Sequence, residues 1–303
     1  MPGACPLHRE RPAVRQLTRG HRFREIAVGP QLSSVAGRFA DPLRRATVLG
    51  IVTAGISAGI LAGCIVGGWL TDVIGWRGML LTLSATCVVI AVAARLVLPA
   101  ATGRVTTGYL ATIRALPGLF VRHPLLRSAA GRGALWFFAL CTVWAGLAVA
   151  LSQPPFAYSA EPIGLYAFAG LLGILATRIA GVWTDRVGAR PVILVGLILA
   201  VLAAAALSLF LSNTAVTLIC LGLFDAGLFA AQVANQSTVL AINPTAPAQL
   251  NSAYMVVYFI GGSVGTAFGA SAVHWWGWTA TTSIAAGAIL IAAAITAASR
   301  RRH

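Results

Sequence analysis

The sequence contains no lysine, so all 22 of its basic residues are arginine, and it contains only seven acidic residues. Charged residues make up 10% of the 303 residues, whereas hydrophobic residues make up 58%. A soluble domain carries roughly one quarter charged residues, so this chain has too little polar surface to cover a soluble fold. The composition therefore predicts an integral membrane protein whose main partner is the lipid bilayer.

The net charge of +15 could also suggest a nucleic-acid partner. A nucleic-acid-binding domain concentrates its basic residues on one folded face beside a soluble core. Here the arginines fall in the gaps between apolar runs instead. We therefore expect no nucleic acid among the partners of this chain.

Motifs for catalysis and for metal binding are also missing. The five cysteines are scattered, without a CxxC pair or a histidine at ligand spacing, so we expect neither a metal site nor a disulfide. The sequence has no Walker loop, no HExxH and no GxSxG with partner residues, which leaves hydrolysis and ATP-driven work without a residue basis. We expect no cofactor and no enzymatic activity.

Eight apolar stretches are long enough to cross a bilayer, because a hydrocarbon core of about 30 Å needs about 20 helical residues. They cover residues 46–70, 79–98, 133–151, 163–183, 192–211, 215–240, 250–273 and 279–298. Turn and breaker residues separate them. The sequence therefore predicts an all-α membrane protein with about eight transmembrane helices.

Arginine is concentrated in every second gap between the predicted spans, except that the gap between the sixth and seventh spans carries no charge. Clusters precede the first span, fill the connection between the second and the third, and end the chain at Arg300, Arg301 and Arg302. By the positive-inside rule, both termini lie in the cytoplasm. We interpret residues 99–132, the longest connection, as a basic cytoplasmic linker between two bundles, with two spans before it and six after it.

The chain also contains an internal repeat, in which the first two spans match the last two. A shift of 202 positions (261 − 59 = 202) places Gly59 on Gly261, Gly63 on Gly265, Gly67 on Gly269, Gly75 on Gly277 and Trp76 on Trp278. No gap is needed for these matches. Repeats of this kind are common in transporter folds, so the first two spans are predicted to be a structural copy of the last two.

A spaced motif follows the fourth predicted span, with the sequence Gly181-Val-Trp-Thr-Asp185-Arg186-Val-Gly188-Ala-Arg190. It resembles the cytoplasmic loop signature G-x-x-x-D-R-x-G-x-R of the major facilitator superfamily, whose members have two six-helix halves joined by a basic cytoplasmic linker. The resemblance implies that this loop holds a cytoplasmic gate through charge-assisted bonds that break when the halves rock. A solvated loop that obeys the positive-inside rule would carry the same arginines.

A second segment, Gly59-Ile-Leu-Ala-Gly63-Cys64-Ile-Val-Gly67-Gly68, is similar to the antiporter motif G-x-x-x-G-P-x-x-G-G of efflux members of that superfamily. Cys64 stands where the motif has proline. Glycine recurs at every fourth position here, at Gly55, Gly59, Gly63 and Gly67, which lets another backbone approach closely. We interpret this face as a packing surface first and as a rocking interface second.

The resemblance implies a truncated bundle of the major facilitator type, with two helices of the amino-terminal half and six of the carboxy-terminal half. Residues 1–27 resemble no part of the family and are expected to be disordered or a misassigned leader. Residues 28–98 then hold the end of the fourth helix with the fifth and sixth helices, residues 99–132 form the linker, and residues 133–303 form the six-helix half. We expect the chain to be incomplete as written and not to transport alone.

Asp225 is the one acid in the middle of a predicted span. An ionised carboxylate there costs at least ~2.5 kcal/mol, so its side chain should face the bundle interior or water. Gln232 and Gln236 follow on the same helical face, and with Asn235 and Tyr254 they form a predicted path for a proton or a substrate. The alternative is that the carboxylate and the amides only hold neighbouring helices together.

Together with the resemblance, these observations predict a multi-pass secondary active transporter in the plasma (cytoplasmic) membrane of a bacterium. In a bacterium with two membranes, this is the cell inner membrane. The resemblance to drug and metabolite exporters implies an antiporter that couples efflux of a small-molecule solute to protons. The alternative is a non-transporting membrane scaffold or a degraded gene product.

Overall fold

The computed structural model describes residues 45–97, 109–243 and 247–299, and every regular element within these ranges is a helix. In chain order the elements are α1 (Arg45–Val97), α2 (Tyr109–Arg122), α3 (Pro124–Ser152), α4 (Ala160–Leu165), a 3-10 segment (Tyr166–Ala169), α5 (Gly170–Val187), α6 (Ala189–Leu209), α7 (Thr214–Ala241) and α8 (Pro247–Ala298). The leader expected at residues 1–27 lies outside the described residues.

Six helices in these ranges are long and apolar enough to cross a membrane, with α4, the 3-10 segment and α5 together forming one of them. This confirms the prediction of an all-α membrane protein with several spans. The sequence predicts eight spans, and the described ranges hold six such helices, because two pairs of predicted spans are each joined into one continuous helix. These joined elements are α1, with 53 residues, and α8, with 52 residues.

Both joined helices contain one glycine at which the backbone leaves helical geometry. The dihedral angles are φ 74° and ψ 164° at Gly75 in α1, and φ 78° and ψ 174° at Gly277 in α8. Glycine adopts positive φ without the steric cost that a Cβ atom would bring. The two positions correspond in the internal repeat (277 − 75 = 202), so both copies of the repeat bend at the same glycine.

The start of α3 differs from the expected end of the linker. The helix begins at Pro124, whereas the sequence placed the span at residues 133–151. Proline is favoured in the first turn of a helix because its missing N–H would be unpaired there anyway. As a consequence, Arg132 lies more than two turns inside α3 and is buried, although the sequence placed it in a basic connection.

Helices α3 and α8 approach each other so closely that their backbones touch. A Cβ atom added to any of three α8 glycines would collide with the α3 backbone, pairing Gly261 with Ala134, Gly265 with Phe138 and Gly269 with Thr142. The four-residue spacing on both helices matches the rows of a helix surface. In the first copy of the repeat, Gly59, Gly63 and Gly67 meet no atom of the described residues within 4 Å at the same test position.

This difference between the two copies predicts opposite effects of the same substitution. Gly265→Ala should lower stability by about 1–3 kcal/mol, because the methyl group forces apart two backbones that cannot repack. Gly63→Ala should be neutral or raise stability by up to about 1 kcal/mol, because alanine is the better helix former. Thermal unfolding of both variants in the same detergent checks this, and equal effects at the two positions would contradict the packing described here.

Candidate functional site

The carboxylate of Asp225 lies inside the bundle, as the sequence predicted for an acid in the middle of a span. Its side chain is 2% exposed, and its Oδ1 accepts a hydrogen bond of 3.1 Å from Nε1 of Trp144 in α3. A Cβ atom on Gly170, at the start of α5, would lie 3.7 Å from its Oδ2. The carboxylate is therefore enclosed between α3, α5 and α7.

Small residues make room for this carboxylate. Gly173 of α5 faces α7 so closely that a Cβ atom there would lie 3.4 Å from Cβ of Asp225 and nearer still to the ring of Phe229. A larger residue at this position would push α5 away from α7. The sequence analysis did not find Trp144, because a tryptophan in an apolar run gives no sign of which helix its N–H will meet.

The other predicted path residues form a separate polar cluster nearer the end of α7. The hydroxyl of Tyr254 in α8 donates to Oε1 of Gln232 over 2.6 Å and accepts from Nδ2 of Asn235 over 3.1 Å. Gln236 donates to Oδ1 of Asn251 over 3.0 Å. The structure therefore joins Gln232, Asn235 and Tyr254, but no hydrogen bond between described residues connects them to Asp225.

Arg132 also belongs to this cluster, although the sequence placed it in the linker and not among the site residues. Its side chain is 6% exposed, and Nε donates to Oδ1 of Asn235 over 2.7 Å. Nδ2 of Asn235 also donates to the backbone oxygen of Ala129, over 3.0 Å. Asn235 is fully buried, so one amide satisfies both the buried cation of α3 and a carbonyl of the same helix. Pro124 was the sequence signal for this site, because a helix that starts there carries Arg132 into the bundle.

The amides of the predicted path differ in how deeply they are buried. Asn235 is fully buried and bonds to two other helices, which is how an amide holds helices together in a membrane. Gln232 and Gln236 are only half-buried.

The predicted gating motif lies at the junction of α5 and α6. Gly181 is in α5, and Asp185 and Arg186 are exposed in its last turn. Gly188 forms the turn itself with φ 86° and ψ 164°. Nη2 of Arg190 donates to the backbone oxygen of Ala297 over 2.5 Å, at the end of α8, where the last carbonyls of a helix lack partners in the helix. Arg190 therefore ties this loop to the end of the last helix.

The turn at Gly188 should not tolerate a side chain. Its dihedral angles lie in a region that is occupied almost only by glycine, so Gly188→Ala should cost about 1–3 kcal/mol. Open space around the position means that backbone strain alone is responsible. Thermal unfolding checks this prediction, with Gly181→Ala as the matched control, since Gly181 is also uncrowded but lies inside a helix. Equal losses in the two variants would contradict it.

The antiporter-like motif lies in the first arm of α1, before Gly75. Gly55, Gly59, Gly63 and Gly67 all belong to this helix, and the surroundings of Gly55 lie outside the described residues. Gly68 is the member that packs closely, because a Cβ atom there would lie 2.6 Å from the backbone oxygen of Ala160. The close contact is therefore made by Gly68, and Gly59, Gly63 and Gly67 make none with the described residues.

The part of the chain that the structure describes holds no group of three or more histidine, cysteine or acidic side chains that could bind a metal ion. Cys64 and Cys87 are exposed thiols, and Cys220 is buried without a disulfide partner. Among the described residues, the buried charged side chains are those of Asp225 and Arg132.

No protein-family model matches the chain. Among curated proteins, the chain is 30% identical over 249 residues to the uncharacterized transporter YgaY of Escherichia coli O157:H7. The match covers 82% of this chain and 63% of YgaY. The identity and coverage are the same for the putative uncharacterized transporter YgaY of Escherichia coli strain K12. It is 31% identical over 252 residues to the probable transporter SCO4007 of Streptomyces coelicolor, an overlap of 82% of this chain and 57% of SCO4007. The chain thus spans about three fifths of the length of the curated relatives that it matches, and these relatives are bacterial proteins with transporter names.

Proposed function

We propose that this chain carries most of a secondary active transporter of the major facilitator type, which exports a small drug or metabolite in exchange for protons. The observation that carries the proposal is the carboxylate of Asp225, which lies in the interior of an apolar bundle. An ionisable group at that depth costs free energy and is retained mostly where it moves ions or binds substrate. The transporter names of the bacterial relatives support the same class of function.

The architecture of the proposed transporter has eight spans. We count each bent helix, α1 and α8, as two spans, because a glycine with positive φ divides each of them. The arms of α1 then belong to one half of the transporter, and α3 to α8 form the other half, with residues 99–123 between them as the cytoplasmic linker. The repeated bend at Gly75 and Gly277 supports this assignment, since equivalent helices of the two halves share it.

The polar groups divide into three roles in this proposal. Asp225 binds the proton, and Gln232 and Gln236 contact the solute, because their amides are only half-buried. The cluster of Arg132, Asn235 and Tyr254 fixes α3, α7 and α8 relative to one another. A rigid carboxy-terminal half of this kind is what alternating access requires, since the two halves rock as bodies around a central site.

The gate on the cytoplasmic side is proposed to use the loop between α5 and α6. Asp185 and Arg186 are exposed on this loop, so they are available to form charge-assisted hydrogen bonds with the opposite half when the halves approach. The bond from Arg190 to α8 keeps the loop on its own half. The loop then forms the contact between the halves that opens and closes, and its bond to α8 holds it in place.

A panel of drugs and metabolites tests the proposed function in a strain that lacks its main exporters. The strain expresses either the chain itself or a form extended with the part of YgaY that lies outside the matched region. We expect resistance to, or export of, at least one compound with the extended form, and loss of that phenotype with Asp225→Asn. If the extended form, the Asp225→Asn variant and the empty vector give the same result for every compound, the non-transporting scaffold is the better account.

A further inference from the structure

The carboxylate of Asp72, near the end of the first arm of α1, holds this arm against α4 through two hydrogen bonds. Oδ1 of Asp72 accepts the backbone N–H of Ala160 over 3.0 Å, and Oδ2 accepts that of Glu161 over 2.7 Å. These are the first two residues of α4, whose N–H groups have no partner within the helix. Asp72 therefore caps a helix that is separated from it by 88 residues of sequence.

A close backbone contact lies next to this cap. A Cβ atom on Gly68 would lie 2.6 Å from the backbone oxygen of Ala160, and one on Gly164 would lie 2.7 Å from the backbone oxygen of Cys64. The contact therefore covers two turns of α1, from Cys64 through Gly68 to Asp72. Residue numbers fall along α1 where they rise along α4, so the two helices are antiparallel at this contact. The part of α1 before Cys64 and the helix α5 therefore extend from the contact toward the same side.

The two helices separate beyond this contact. Ile60, one turn before Cys64 on α1, is 65% exposed, while Leu175 and Ile179 on α5 are 60% and 68% exposed. The charge pattern assigns this open side to the cytoplasm and the Asp72 side to the opposite face of the membrane. On the described residues, the contact between α1 and α4 thus lies on one face of the membrane, and side chains of α1 and α5 are exposed toward the other.

We propose that Asp72 is a latch that holds the bundle closed on the face opposite the cytoplasm. Its release lets α1 separate from α4 there and close toward α5 on the cytoplasmic side. This proposal rests on the proposed function, because a latch has a role only in a bundle that alternates between two arrangements.

The chemistry of the contact suits a bond that opens and closes. Asp72 is exposed, so water can replace the two N–H groups when the bond breaks, and a carboxylate accepting backbone N–H groups makes stronger bonds than a neutral acceptor. The small residues at Gly68 and Gly164 let the helices part without extracting large side chains from a packed core.

The test compares Asp72→Asn and Asp72→Ala with Glu161→Gln in the full chain, reconstituted in lipid nanodiscs. Glu161→Gln is the matched control, because it removes a carboxylate at the same place while keeping the backbone N–H that Asp72 accepts. Hydrogen exchange measured by mass spectrometry reports the amides of Ala160 and Glu161. Spin labels at Ile60→Cys and Ile179→Cys, in a background with the native cysteines replaced by serine, report the distance between α1 and α5.

We expect both Asp72 variants to raise amide exchange at Ala160 and Glu161 by about tenfold, which corresponds to losing a hydrogen bond to a charged group. The label distance should become shorter in the same variants and stay unchanged in Glu161→Gln. Faster exchange without a distance change would show a local helix cap and overturn the latch, as would unchanged exchange. Neither measurement requires transport. If proton-coupled export is not found, the proposed function is wrong, and the two measurements still decide whether Asp72 is a latch.

Discussion

Replacing Asp225 by asparagine is expected to abolish the dependence of solute export on the proton gradient. Asparagine has nearly the same volume and can still accept the hydrogen bond from Trp144, but it cannot bind and release a proton. Coupling between two ligands in proteins is typically worth about 5- to 150-fold in affinity, so uphill export should fall by at least about tenfold. Export of the responsive compound is measured in vesicles with and without an imposed pH gradient.

Two further variants identify the cause of this loss. Asp225→Glu keeps a carboxyl group and should retain part of the response to the gradient. Glu161→Gln removes an exposed carboxylate outside the bundle interior and should leave the response unchanged. If Asp225→Asn exports with the same dependence on the gradient as the parent, Asp225 is a packing residue and the proposed coupling site is wrong.

The second large effect is expected from the cluster around Arg132. Asn235→Ala removes the acceptor of the buried guanidinium, leaves its charge in the bundle, and also removes a donor to Ala129 and to Tyr254. Losing a hydrogen bond to a buried charged group costs about 2–3 kcal/mol, so the variant should be strongly destabilised. Arg132→Met should cost less, since it removes the charge together with the need for a partner.

Thermal unfolding of the single and double variants in nanodiscs measures this difference. The double variant should be less destabilised than the sum of the two single variants, because both changes disrupt the same interaction. Gln236→Ala is the control, as this half-buried amide bonds to Asn251 outside the cluster around Arg132. Equal losses for Asn235→Ala and Gln236→Ala would show that the buried cation does not depend on Asn235.

The sequence was sufficient for the helical membrane architecture because hydropathy and length are properties of single segments. A segment of about 20 apolar residues is stable in lipid as a helix whatever its neighbours are. The bends at Gly75 and Gly277 could be placed for a similar reason, since the repeat puts a glycine followed by tryptophan at both positions. The position of Asp225 inside the bundle followed from the cost of exposing a carboxylate to lipid.

The contacts between helices could not be read in the same way, because they depend on how each helix is rotated and where it begins. Asp225, Gln232 and Gln236 share a face of α7 by spacing, yet Asp225 bonds to Trp144 of α3, and Gln232 and Gln236 bond to residues of α8. Arg132 was assigned to the linker because the charge rule counts arginines near span ends, and the start of α3 at Pro124 moved it inside. Asp72 met α4 through a contact between segments far apart in the chain.

Proton movement driven by a solute gradient tests the proposed function most directly. Vesicles contain the chain itself, or the form extended with the part of YgaY outside the matched region, together with a trapped pH-sensitive dye, and the responsive compound is added on one side. The account predicts that the compound changes the internal pH with the extended form, in the direction of exchange, and that Asp225→Asn removes this change. Solute movement without any change in internal pH, or with the same change in Asp225→Asn, would contradict it.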